Sequence, residues 1–139
     1  MAPAPVGYSG TPLPKKLGLK DGQCAAFLNL PEDLADLTTS RNFARVASSL
    51  RGEAELDFVQ VFTKVRAELA DTLKTARQQI KPDGMIWASW PKKASKVPTD
   101  ITEDVVREEA FPLDLVDVKV CAVNNIWSGL KLVIRKEKR

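Results

Sequence analysis

Lys92, Lys93 and Lys96 stand close together in the chain, with Ser95 among them and Thr99 just beyond. Lysine ammonium groups hold phosphate or carboxylate as point charges. The two hydroxyls offer further donors, and a helix start beyond Thr99 would add free backbone amides. This is the chemistry of anion binding rather than of bond cleavage. The lysines follow the apolar run Met85-Ile86-Trp87-Ala88-Ser89-Trp90, which has the composition of a strand. Loops after the carboxyl ends of strands are where open α/β sheets place ligands. Trp90, beside Pro91, is a candidate wall for a ligand to stack on. The plainer reading of the same residues is a solvated basic loop in which Ser95 and Thr99 only turn and cap the chain. No glycine-rich cradle or P-loop pattern accompanies the lysines.

A second donor set lies at Tyr8-Ser9-Gly10-Thr11-Pro12. Tyr8, Ser9 and Thr11 are expected to fold over the carboxyl ends of the strands and meet Lys92–Thr99 on one surface. The alternative is an ordinary docked terminus with Tyr8 held by packing. Trp87 and Trp90 are three apart and so project from opposite faces of a strand; one of them at least is core.

The chain has no histidine. Ser-His-Asp and Cys-His nucleophile systems are therefore excluded, as are histidine-based zinc sites. Two cysteines, Cys24 and Cys121, cannot make a four-thiolate site. Both fall in apolar runs and are expected to be buried, inert thiols; they form a redox pair only if their strands are neighbours. No catalytic residue, metal ligand or cofactor is assigned. Acid–base work would fall to carboxylates, lysines, Tyr8 or the thiols, which weighs against an enzyme.

A length of 139 residues fits one domain with a core of its own, and 44% hydrophobic residues fits a globular chain. No apolar run reaches the ~18 residues of a membrane helix. The Met1–Pro5 start lacks the basic and apolar regions of a signal peptide, so a bacterial cytoplasmic setting is expected. The net charge of +3 does not by itself mark a nucleic-acid protein. The basic residues are clustered at Lys15–Lys20, Lys92–Lys96 and Lys131–Arg139. The last group would suit RNA or anionic lipid, but charged termini are common.

The elements that must position these residues alternate. Residues 1–14, with four prolines, form an extended arm, and 15–139 a single α/β domain. Lys15–Leu19 gives one helical turn stopped near Gly18. Gln23–Asn29 is a strand buried on both faces. Pro31-Glu32-Asp33 begins a short helix. A strand is expected in the second half of Asn42–Leu50, and another at Leu56–Phe62. Lys64–Gln79 is a helix with Val65, Leu69, Leu73, Ala76 and Ile80 on one stripe. Lys81–Gly84 turns into a strand at Met85–Trp90. Asp100 with Glu103 has capping-box spacing before a helix to Ala110. Leu115–Val123, an Asn124-Asn125 turn and Trp127–Ile134 form a closing hairpin. Such alternation implies a mostly parallel sheet with helices on both faces and an antiparallel hairpin at the edge.

Lys16–Gly22, leading into the first strand, Ile80–Trp87, and the hairpin Val116–Val123 with Leu130–Ile134 together resemble a shortened class I methyltransferase domain. That resemblance implies a Rossmann-like three-layer sandwich. Methyltransferases place a glycine-rich turn after the first strand, so that the methionine moiety can approach the backbone. Here Asn29-Leu30-Pro31-Glu32-Asp33 stands in that place, with no glycine and one amide lost to Pro31. No carboxylate stands at the end of the second strand to hold a ribose. The whole chain is also similar to a bacterial family of about this length without an established activity. Tyr8–Leu13, Trp90–Ser95 and Pro98–Asp104 carry that similarity. The sequence thus points to a non-enzymatic or regulatory domain that binds a small anionic ligand or a protein partner. The alternative is a degenerate transferase using a nucleotide-type cofactor. Nucleic acid and membrane are not favoured as partners, and no oligomeric state is read.

Overall fold

The computed structural model describes residues 11–139. Tyr8 and Ser9 lie outside the described residues. Leu13–Leu17 forms a short helix, α1, that starts two residues before the expected domain boundary. Gly18 closes it at φ +82°, and Leu19 then donates to the Pro14 carbonyl at 2.9 Å. A left-handed residue at this point suits glycine, and the chain can turn sharply toward the sheet.

Strands β1 (Cys24–Leu28), β2 (Arg45–Ala47), β3 (Leu56–Phe62) and β4 (Ile80–Pro91) run parallel. A 3₁₀ segment at Glu32–Thr39 follows β1 where a short helix was expected. Helix α2 (Arg66–Gln79) joins β3 to β4, and α3 (Glu103–Ala110) joins β4 to β5 (Leu115–Ala122). The chain ends with β6 (Trp127–Ile134) and a basic 3₁₀ turn. The sheet order is β2-β1-β3-β4-β6-β5. Beyond β4 the pairing becomes antiparallel, because β6 slots between β4 and β5. The hairpin is therefore present, but the edge of the sheet is β5, and the antiparallel strand β6 is internal.

Apolar alternation sends side chains to two cores. Val59, Ile86, Trp90, Leu130 and Leu132 pack under α2 and α3 with Leu69, Leu73 and Val106. Phe27, Phe58 and Trp87 pack on the other face against Leu17, Leu19 and Leu37. Trp87 is fully buried there, and its indole N–H donates to the Leu17 carbonyl at 2.8 Å. The two tryptophans do lie on opposite faces, and both belong to the core.

Three local expectations are corrected. Lys81–Gly84 is not a free turn: β4 already begins at Ile80, opposite Leu56. The next match is Phe58 with Met85, so the extra residues bulge out of register. Val65 is exposed rather than part of the buried stripe, because it precedes the first turn of α2. Asp100 does not cap α3. Thr102 does that, accepting from the Val105 amide at 3.2 Å, while Asp100 accepts from the Arg66 amide at the start of α2 at 2.6 Å.

Candidate functional site

The carboxyl ends of β1, β3 and β4 share one end of the sheet, and two hollows open there. The first follows β4. It has a volume of about 540 Å³ and is floored by Trp90, Pro91 and Ile101, with Lys92, Lys93 and Lys96 among its lining residues. Lys96 adopts φ +60°, which ends the 3₁₀ turn Lys93–Ser95 and bends the loop. None of the three lysines is ion-paired with a described residue. Glu103 also lines this hollow, and Arg107 holds it.

The hydroxyls are engaged within the loop. Ser95 donates to the Lys92 carbonyl at 2.7 Å and accepts from the Val97 amide at 3.2 Å. Thr99 donates to the Lys64 carbonyl at 2.7 Å and accepts from the Ile101 amide at 3.1 Å. They shape the hollow, and the lysines are left as its unpaired charged groups, beside a Glu103 that Arg107 holds. Trp90 is only 6% exposed, so it forms the floor through packing and offers little ring face.

The second hollow lies at the point where the sheet order reverses, between β1 and β3, and sequence reasoning missed it. It measures about 450 Å³ and is lined by Asn29, Pro31, Phe62, Thr63, Val65 and Trp127, among others. Asn29 ends β1 at φ +57°, and its amide donates to the Phe62 carbonyl at 3.1 Å. Phe62 meets Trp127 edge-on, with ring centres 5.2 Å apart. Thr63 sits near the Glu68 carboxylate at 3.3 Å. Lys64 joins the two hollows, since its carbonyl accepts from both Thr99 and the Asp100 amide. Asn29 was the available signal: an asparagine directly after a buried strand marks a left-handed turn. The strand order that puts it beside Phe62 and Trp127 was not readable from the sequence.

Thr11 is placed elsewhere. It lines a third hollow with Lys15, Lys16, Lys119 and Cys121, and that hollow shares no lining residue with the lysine loop. The cysteines are half-buried rather than fully buried. They pack on opposite faces of the sheet, with β3, β4 and β6 between their strands, so they are not a redox pair. Burial pushes the Cys121 thiol above the ordinary range, and Lys16 and Lys119 partly offset it. Among the described residues no group of three His, Cys, Asp or Glu side chains could hold a metal ion. No helix among them is long and apolar enough to cross a membrane.

A family model for proteins of unknown function, DUF3052, matches residues 15–136. The chain belongs to this family. No curated protein matches it in sequence. Among solved structures, the DUF3052 chain is similar to an SAM-dependent methyltransferase from Aquifex aeolicus. The TM-score is 0.60 at 15% identity, with 86% of each chain covered. It is also similar to a chain of the Haloferax volcanii complex that contains the Trm112 methyltransferase activator. Here the TM-score is 0.64 at 11% identity, covering 88% of this chain and 87% of that one. Aeropyrum pernix fibrillarin, solved with natively bound S-adenosyl-L-methionine, gives 0.53 at 13% identity, covering 87% and 73%. The DUF3052 chain therefore has a methyltransferase-type, Rossmann-like fold. At these identities the likeness is one of fold and carries no activity.

The residues do not fit adenosylmethionine in the manner of that fold. Asn29 occupies the left-handed position after β1, and the next segment carries Pro31, Glu32 and Asp33. Pro31 removes an amide where the fold's cofactor turn offers one. Directly after β2 the chain reads Ser48-Ser49-Leu50-Arg51, and the first acid beyond it, Glu53, is taken up by an ion pair with Arg45 at 2.9 Å.

Proposed function

We propose that this domain binds a ligand without chemical turnover, and that the ligand is a small anion held after β4 by Lys92, Lys93 and Lys96. One observation carries this reading. Lys92, Lys93 and Lys96 line a concave, partly apolar hollow, and none of them is ion-paired with a described residue. Hollows of this size suit small ligands. The first turn of α3 borders the hollow; its acids Glu103 and Asp104 are both paired with Arg107. The test is a thermal-shift screen with inorganic phosphate, sugar phosphates, nucleotides and adenosylmethionine. A phosphate-bearing compound should raise the melting temperature, and Lys92→Glu with Lys93→Glu should abolish that rise. The melting temperature of the free variant should be nearly unchanged. Binding that survives the double substitution would refute the assignment.

The hollow between β1 and β3 favours a second reading, a degenerate transferase with a nucleotide-type cofactor. It occupies the ligand position of open α/β sheets and is floored by the buried pair Phe62 and Trp127. A shift with adenosylmethionine, together with methyl transfer to any acceptor, would support it over the first. A protein partner is the further possibility raised by the solved complex with an activator.

A further inference from the structure

Five lysines distant in sequence converge on the sheet face opposite α2 and α3. Lys15 and Lys16 lie on α1, and Lys20 follows it. Lys119 on β5 is directly paired with Lys131 on β6. Lys131 is in turn paired with Trp87 on β4, whose indole is bonded to α1. Lys15, Lys16 and Lys119 line one hollow of about 540 Å³ together with Thr11, Val120, Cys121 and Ala122. None of the five lysines is ion-paired with a described residue, and residues 1–10 contain no Asp or Glu. Their mutual proximity is felt: burial pushes the Lys131 ammonium below the ordinary lysine range, and Lys119 and Lys20 push it further. Unpaired like charges gathered on one side of a folded chain are unfavourable without a counter-charge.

The borders of the shelf limit what that counter-charge can be. Beyond α1, the neighbouring groove is lined by Asp33 and Asp36. On the other side Lys20 borders a hollow that it lines with Asp21, Asp83 and the ion pair of Asp57 with Lys81. A long polyanion leaving the shelf on either side would run into carboxylates. No arginine lines the hollow, so planar bidentate recognition is absent and charge density is what is read. We propose that the shelf formed by Lys15, Lys16, Lys20, Lys119 and Lys131 binds a compact run of linked phosphates, either inorganic polyphosphate or the phosphate chain of a nucleotide. This site is separate from the lysine loop after β4.

Cys121 lies in the hollow and Cys24 on the opposite face, so alkylation of the intact chain carries its own reference. Inorganic tripolyphosphate at saturation should slow alkylation of Cys121 by about tenfold and leave Cys24 unchanged. Orthophosphate at the same concentration should protect far less. Lys16→Glu with Lys119→Glu should raise the tripolyphosphate concentration needed for half-protection by about tenfold or more. Lys16→Gln with Lys119→Gln should raise that concentration less and serves if the reversed charges impair folding. Equal protection by ATP and tripolyphosphate would support the linked phosphates as the recognised group; tighter protection by ATP would support the nucleotide source. Three results would overturn the proposal. They are no protection of Cys121 at low salt, protection lost with Lys92→Glu/Lys93→Glu but not with the shelf variants, and tighter binding of a single-stranded oligonucleotide than of tripolyphosphate.

Discussion

Gln60 is a polar side chain sealed in the middle of β3. It is fully buried, its amide donates to the Ser89 hydroxyl at 3.3 Å, and its Oε1 has no partner among the described residues. A buried acceptor without a partner costs about 1–3 kcal/mol, whereas replacing both members of a pair by apolar groups is often neutral or better. Ser89→Ala alone should therefore lower stability, and Gln60→Leu with Ser89→Ala should recover it or exceed the parent. Urea denaturation of the three chains decides this, and a double variant weaker than Ser89→Ala would refute it. Cys121 gives a second residue-scale prediction. Burial raises its thiol and so disfavours the thiolate, the reactive form. Alkylation should stay slow at neutral pH and accelerate only above the ordinary thiol range. Lys119 opposes the shift, so Lys119→Gln should raise the thiol further and slow labelling at neutral pH. Faster labelling of that variant would contradict the electrostatics. The loop lysines were legible in the sequence because they are contiguous. The shelf was not, because Lys16 and Lys119 meet only through the packing of α1 across β4 and β6.

Among the elements, α2 best shows which parts of the fold local pattern could reveal. Leu69, Leu73 and Ala76 recur at helical spacing, and all three are buried. Leu69→Ala should cost about 2–5 kcal/mol in chemical denaturation, and a loss well below that range would mean the site collapses around the smaller side chain. The start of the same helix was not legible. Val65 stands in the N-cap position with no side-chain cap, and Asp100, far along the chain, supplies the carboxylate. Capping-box spacing drew Asp100 to α3 instead, because sequence spacing sees only near neighbours. Asp100→Ala should cost about 0.5–2 kcal/mol as a lost cap, with Asp100→Asn costing less. Since Thr99 and Asp100 tie the lysine loop to Lys64, Asp100→Ala should also weaken any anion bound after β4. Hydrogen exchange across residues 92–102 would register that loosening. Strand order was hidden for a related reason. The hairpin Leu115–Ile134 was readable from its apolar runs and Asn-rich turn, but whether β5 or β6 meets β4 depends on the α3 crossover rather than on either strand's composition.

At the scale of the whole molecule, the sheet keeps the ligand-facing end of a methyltransferase-type fold while its loops carry different chemistry. The position after β1 holds Asn29 and Pro31, the ends of β3 and α2 are tied to Asp100, and the free positive charge sits after β4 and across the β5–β6 face. Stabilisation by a ligand follows mass action, and a ligand at a hundred times its dissociation constant adds about 2.7 kcal/mol. For a domain of this size that corresponds to a rise in melting temperature on the order of 10 °C. Adenosylmethionine at millimolar concentration should produce no such rise, because no glycine follows β1, Pro31 withholds an amide, and the acid that follows β2, Glu53, is ion-paired with Arg45. Tripolyphosphate should produce one at low salt, and added salt should erode it by screening the exposed lysines. A large adenosylmethionine shift that persists in high salt would reverse this ranking and return the molecule to transfer chemistry. In that event Asn29→Gly, which restores the residue best suited to the left-handed turn, should strengthen the binding. If no such site exists, the same substitution should leave the adenosylmethionine response at zero and change only stability.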